Sequence, residues 1–227
     1  MNRLHLKIIA AITMVIDHIG VIFLYPGTNI YDIFRSIGRI SFVLFAYLLA
    51  EGFHKTKDVN KYLLRIAVFA AGIEVFLIAY YFISKENMIL TFNIFWTLLA
   101  GLVSLYLFYQ KNHWYKLLII PLVFISEFIH LSYGAYGVLM ILLFGVYQNK
   151  ITNVLHLIFL NLLFVQSPFS SNLDFNAKYP EMQWFSLIAL VFILLYNQKM
   201  GKYKMKWFFY LFYPGHLLVL YLINMII

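Results

Sequence analysis

Lys7 to Gly20 reads KIIAAITMVIDHIG. It is an apolar run with one cation near its start and an acid next to a histidine, Asp17-His18, towards its far end. On an α-helix the step from Lys7 to His18 is about three turns, so the two side chains share a face roughly 16 Å apart. With Lys7 at a membrane surface, His18 lies near the middle of a hydrocarbon core ~30 Å thick. An ionisable residue at that depth is costly, and by default it marks a functional site. The competing reading is a polar pair that ties this helix to its neighbours by hydrogen bonds.

The pattern of this stretch recurs along the chain. Of 227 residues, 63% are hydrophobic and 11% charged; soluble domains carry about 25% charged residues. The runs do not alternate as barrel strands would. The expectation is an all-α, polytopic transmembrane helix bundle, a single integral-membrane domain over residues 1–227. About nine segments are expected, near 6–25, 34–53, 62–83, 88–109, 115–131, 133–147, 152–166, 183–198 and 207–226, with eight or ten as alternatives. No small-residue cleavage site follows the first run, so no cleavable signal peptide is expected and the first segment serves as its own insertion signal.

The net charge is +8. In such a chain it reflects basic loops held on the cytoplasmic side rather than nucleic-acid binding. With the amino terminus inside, only Arg35, Arg39, Lys85 and Lys178 of the 17 Lys and Arg residues fall outside. That bias makes the amino terminus cytoplasmic and the protein a multi-pass component of the cell membrane. There is no cysteine, so disulfides and thiolate chemistry are excluded. No HxxxH or HExxH pattern occurs among the seven histidines, so no metal is expected.

Other residues stand out in order. Arg35 and Arg39 share a face near the outer end of the second segment, where both can snorkel to the surface. The first inner loop, His54 to Lys61, is the most polar stretch. Lys55, Lys57 and Lys61 there set topology, or they gather enough cations for a phosphate-rich ligand. Glu74 falls about half-way along the third segment. Asn93, Thr97 and Gly101 recur every four residues, as a packing face does. Glu127 and His130, near the end of the fifth, are three apart and so on one side of a helix. The loop Gln166 to Gln183 is long enough for a lid or an acceptor-binding loop. In the last segment Pro214-Gly215 loosens the helix at mid-depth and His216 follows directly.

At their estimated depths Asp17, His18, Glu74 and His216 form a mid-membrane centre with a basic inner mouth. A histidine steadied by a carboxylate makes a general base. Such an arrangement suits transfer of an acyl group from a charged cytosolic carrier to an acceptor in or across the bilayer.

The same stretches carry a resemblance. LKIIAAITMVIDHIG, IGRISFVLFAYLLAEGF, NKYLLRI, NIFWTLLAGL, YGAYGVLMILLF and FFYLFYPGHLLVLYLI resemble, in order and over almost the whole chain, the TraX family of membrane acetyltransferases. IDHIG, GRISF, AEGF and YPGH are the specific parts. That family is implicated in acetylating the amino terminus of conjugative pilin, and it is similar in turn to a broader group of transmembrane acyltransferases. In that group a basic residue, ten intervening residues and a histidine stand in an early helix; Lys7 and His18 match, with Lys where Arg is common. Lys keeps the charge but not the bidentate grip.

The resemblance implies acetyl transfer from acetyl-CoA to an amine or hydroxyl of a peptide or cell-envelope molecule. It makes His18 the general base or transient acyl carrier. Asp17, about 100° away from it, orients another helix. Arg39 and His216 complete the centre or stabilise an oxyanion, and Lys7, Lys55, Lys57 and Lys61 meet the CoA phosphates. Ser132 stands where the family often has an acid. Glycine faces and aromatics leave a homo-oligomer open. The alternative from another class is a proton-coupled transporter using the same Asp, Glu and His. One Pro-Gly site and no internal repeat speak against paired broken helices. A third reading is a helper subunit that uses these residues for packing alone.

Overall fold

Apolar helices without charges have only packing and internal hydrogen bonds to set their ends and spacing. The computed structural model describes residues 1–84, 92–165, 180–201 and 206–226. Among these the chain forms ten α-helices: α1 (Arg3–Phe23), α2 (Asn29–Lys55), α3 (Val59–Ser84), α4 (Ile94–Phe108), α5 (Trp114–Leu117), α6 (Ile119–Phe128), α7 (Gly134–Val146), α8 (Lys150–Val165), α9 (Ala189–Leu195) and α10 (Lys206–Ile226). A 3₁₀ segment, Pro180–Ile188, leads into α9. The sole β pairing in these residues is an isolated bridge between Phe92 and Leu131. The all-α bundle is thus observed. Arg3–Phe23, Asn29–Lys55 and Val59–Ile83 are long and apolar enough to cross a membrane, and five shorter apolar helices accompany them.

Several boundaries differ from the pattern reading. The fifth segment is two helices, α5 and α6, because Pro121 has no N–H to give the carbonyl of Leu117. The fourth helix starts at Ile94, because Asn93 takes the N-cap position and its side chain accepts from Phe95 N; the expected start at residue 88 lies outside the described residues. The eighth begins earlier, as the 3₁₀ turn, and stops at Leu195. Conversely, α10 does not break: it runs unbroken through Pro214. Pro fits helical φ and costs one hydrogen bond, that to the Tyr210 carbonyl, which membrane helices tolerate. Lys85, Lys178, Lys202, Lys204 and most of the Gln166–Gln183 loop lie outside the described residues.

The chain divides into two compact units, Met1–Leu48 with Glu181–Ile227, and Leu49–Pro180. In the first, α1 opens on a reciprocal cap: Asn2 Oδ1 accepts from His5 N at 3.1 Å and the His5 ring returns to the Asn2 N–H. The Met1 ammonium donates to Leu195 O, and Asn197 N to Met1 O, both at 2.9 Å. Arg3 N donates to Lys199 O at 2.9 Å. The amino end and the stretch after α9 therefore share one end of this unit. Ser41 Oγ on α2 donates to the Ala10 carbonyl of α1 at 2.8 Å.

In the second unit two carboxylates start helices. Glu74 Oε2 accepts from Asn93 N (3.2 Å), Asn93 Nδ2 (2.6 Å) and Trp96 Nε1 (3.2 Å) at the head of α4. Glu127 Oε2 accepts from Ala135 N at 2.8 Å at the head of α7. An anion there meets unpaired N–H groups and the positive end of the helix dipole, worth about 0.3–2 kcal/mol. The first of these acids belongs to the predicted mid-depth centre by sequence; its carboxylate is taken up by α4.

The α4–α7 contact is the tightest in this unit. A Cβ on Gly101 would collide with Ile141, whose own Cβ would be 2.7 Å away, and one on Gly145 would collide with Leu105. Gly101 and Leu105 lie one turn apart on α4, as Ile141 and Gly145 do on α7, so the two helices run parallel and each fills the other's gap. Thr97 and Asn93, on the expected packing face of α4, are buried as well. Gly101→Val forces branched bulk against Ile141. It should destabilise the folded protein by about 1–3 kcal/mol, read as a lower unfolding midpoint in detergent, whereas Gly72→Ala inside α3, whose Cβ meets nothing, should keep the midpoint or raise it.

Candidate functional site

The first unit brings together residues far apart in sequence. His18 on α1 and His216 on α10 face one another, with His18 Nδ1 2.8 Å from His216 Nε2. The other ring nitrogen of His216, Nδ1, lies 2.8 Å from the Phe212 carbonyl one turn back. The two rings are tilted, centroids 4.9 Å apart. Phe212 stacks on His216 at 5.3 Å, and Tyr213 sets its edge against both imidazoles, at 6.0 Å from His18 and 5.5 Å from His216. His216 is buried. The chain order YPGH puts Tyr213 three residues and Phe212 four residues before His216, so all three fall on one face of α10.

Asp17, about 100° round the helix from His18, turns to α2 instead. Its Oδ1 meets Arg35 Nη1 at 2.6 Å. Arg35 is 4% exposed and the Asp17 side chain 22%. A Cβ on Gly38 would overlap the Asp17 carboxylate, so the missing side chain there is what lets the acid lie against α2. Arg39 lies one turn beyond Arg35 and is buried too. The expectation that both arginines snorkel outward is therefore corrected. Each is enclosed by helices, and Arg35 finds its counter-charge on α1 before it could reach an interface. The sequence reading missed Arg35 as the partner of Asp17. The signal was present: Arg35 and Gly38 are three residues apart, which sets a cation next to a gap on one helix face.

The basic candidates divide between the two units. Lys7 lies just over one turn into α1 and is half-buried. Around the α2–α3 connection Lys55 Nζ is 2.6 Å from Glu51 and Lys61 Nζ is 3.4 Å from Asp58, while Lys57 is exposed. Asp58 has a second task as N-cap of α3, accepting from Lys61 N at 3.0 Å. That backbone N–H, with the Lys61 ammonium, holds the Asp58 carboxyl below its ordinary value. His54 Nε2 donates to the Gly145 carbonyl at 2.7 Å, and Tyr109 hydroxyl donates to the same oxygen at 3.2 Å, closing the last turn of α7.

Two other candidates have local work. His130 is not on one helical side with Glu127: α6 ends at Phe128 and His130 is left-handed, with φ 53°. Its N–H reaches Glu127 O at 3.0 Å while Leu131 N reaches Ser126 O at 3.1 Å, the hydrogen-bond pair of a Schellman stop. Ser132 donates from Oγ to the Phe92 carbonyl at 2.6 Å.

Comparison with known proteins agrees over the whole length. A family model described as TraX protein matches residues 2–224. A probable fimbrial assembly protein FimC, serogroup H1, of Dichelobacter nodosus is 28% identical over 236 residues, covering 96% of this chain and 94% of that protein. No solved structure matches.

The ion pair is the testable part of this geometry. Removing one partner of a buried pair costs about 3–5 kcal/mol, and the partly exposed Asp17 side chain sets the effect at the lower end. Asp17→Ala and Arg35→Ala should each lower the unfolding midpoint, and the double variant should lose clearly less than the sum. Additive losses would show that the two charges do not interact. Gly38→Ala should reproduce the Asp17→Ala loss.

The Asp58 cap predicts a pH dependence. Because the folded carboxyl titrates below its ordinary value of about 3.8, the cap's contribution is complete above that value and is lost as pH falls through the lower folded one. Hydrogen exchange at the Lys61 amide should therefore lose protection in that acid window, and Asp58→Ala should abolish the change.

Proposed function

Starting from a chain that belongs to the TraX family, we propose that this protein is a multi-pass acetyltransferase of the cell membrane, moving an acetyl group from cytosolic acetyl-CoA to an acceptor amine or hydroxyl. The observation that carries the reading is the 2.8 Å bond between His18 and His216, inside helices with few other polar side chains. Two imidazoles held together there are built for handling a proton rather than for packing, which apolar residues would do better. The relative's name, a fimbrial assembly protein, favours the amino terminus of a pilin-like subunit as the acceptor class.

In this reading His18 takes a proton from the acceptor nitrogen or oxygen as it closes on the thioester carbonyl. The new bond to carbon forms, the carbon–sulfur bond breaks, and the departing CoA thiolate receives the proton. Arg39 stabilises the developing oxyanion, and His216 completes the centre beside His18. Asp17, held by Arg35, fixes α1 against α2. Lys7 of the first unit, or Lys55, Lys57 and Lys61 of the second, receive the CoA phosphates. The exposed pairs Lys55–Glu51 and Lys61–Asp58 do not oppose this, since surface ion pairs are worth about 0–1 kcal/mol and a polyanion displaces them. The whole chain acts as one membrane domain with a cytoplasmic amino terminus. In support, the backbone contact of Arg3 with Lys199 places at one end two residues that the basic-loop rule assigns to the same side.

The test is acetyl-CoA binding by calorimetry on detergent-purified protein, followed by acetyl transfer to a synthetic pilin-like peptide with a free amino terminus. Wild type should bind in the micromolar range. Lys7→Ala should bind about tenfold more weakly, as for loss of one charge-assisted hydrogen bond. His18→Ala should still bind and should transfer nothing. Folded protein that ignores millimolar acetyl-CoA would refute the donor and turn the reading towards a proton-coupled transporter. Wild-type turnover in His18→Ala would remove that histidine from the chemistry.

A further inference from the structure

We infer that His216 is a positioning residue that fixes the tautomer of His18, leaving Nε2 of His18 as the nitrogen with the lone pair. A backbone carbonyl has no proton to give, so His216 Nδ1, 2.8 Å from Phe212 O, must donate. A neutral imidazole carries one N–H, so Nε2 of His216 accepts. Its partner at 2.8 Å, Nδ1 of His18, is then the donor. The same count leaves Nε2 of His18 unprotonated. The opposite tautomer would set two lone pairs against each other across 2.8 Å. A single direction therefore runs through the array, from His18 Nδ1–H to His216 Nε2, and from His216 Nδ1–H to the Phe212 carbonyl.

The surroundings hold this direction. Phe212 stacks on the His216 ring with 17° between planes, which keeps both nitrogens aimed along the array. Tyr213 presses its edge on both imidazoles. Because the anchor is a main-chain oxygen of a packed helix, the order does not depend on a further titrating side chain.

The catalytic consequence rests on the acyl-transfer reading; the hydrogen-bond order does not. When Nε2 of His18 accepts the acceptor's proton, the ring becomes a cation and its Nδ1–H bond to His216 becomes charge-assisted, about twice as strong as before. Release of that proton to the CoA thiolate restores the starting array. His216 so fills the place that a carboxylate holds in a Ser–His–Asp site, orienting the base and supporting its charged form.

Nitrogen NMR of histidine-labelled protein, without substrate, reads the tautomer directly, with the His18 signals assigned by their loss in His18→Asn. A protonated Nδ1 and bare Nε2 are expected; the reverse overturns the inference. His216→Phe removes the acceptor, so the Nε2–H form of His18 should appear. In that variant kcat for peptide acetylation should fall about tenfold or more while KM for acetyl-CoA stays unchanged. His216→Gln can place an amide oxygen where Nε2 stood, and should restore the Nδ1–H form and most of kcat. Unaltered tautomer and kcat in His216→Phe would refute the positioning role. Wild type with the expected tautomer but no acetyl transfer would refute the proposed reaction and leave the hydrogen-bond order standing.

Discussion

A polar group inside an apolar helix must find its partner within the protein, because the surroundings offer none, and each group left unmatched costs several kcal/mol. This constraint arranges the few charged and imidazole side chains described here. Asp17 is answered by Arg35, Glu74 by three N–H donors at the head of α4, Glu127 by the head of α7, and His18 by His216. Glycine gives two of these pairings room: Gly38 beneath Asp17 and Gly134 beneath Glu127. The apolar residues supply most of the buried area, but they are interchangeable along a face. The polar matches are what fix helix register and rotation.

Two carboxylates of the second unit show how that constraint separates structure from chemistry. Glu74 spends three hydrogen bonds on the start of α4, and Glu127 lies against the start of α7. Both are satisfied by backbone and neutral side-chain donors, and both define where a helix begins. For Glu74, though not for Glu127, depth in the sequence pattern suggested a member of a proton-handling centre. Their partners make them helix caps supplied from a neighbouring helix.

What could be read beforehand follows the same division. The helical segments were legible because an unbroken apolar run has few other solutions. The Lys7–His18 spacing and YPGH singled out the two helices whose histidines meet. The ends were not legible where they depend on another element: α4 starts at Ile94 because Glu74 on α3 meets Asn93, and α6 stops because His130 adopts a left-handed φ. Pro214 read as a break, yet the helix absorbs the loss of one N–H. Arg35 read as a snorkelling cation because periodicity gives a face but not what lies opposite it. The roughly 100° between Asp17 and His18 did say that the two side chains serve different helices. Only the structure identifies these as α2 for the acid and α10 for the histidine.

The difference between the two pairs on α1 bears on what each can do. In Asp17–Arg35 the charges neutralise each other, and proton transfer between them would leave two neutral groups deprived of their attraction. That pair resists change and serves to lock α1 to α2. In His18–His216 both rings can be neutral, and neither relies on a charge to hold the other. Adding a proton at the far nitrogen of His18 strengthens the bond between them instead of breaking it. Neighbouring residues on one helix thus combine a fixed strut with a group that can change its charge while staying in place. The proposed transfer needs a base that keeps its position through the cycle, and a strut one residue before His18 would meet that need.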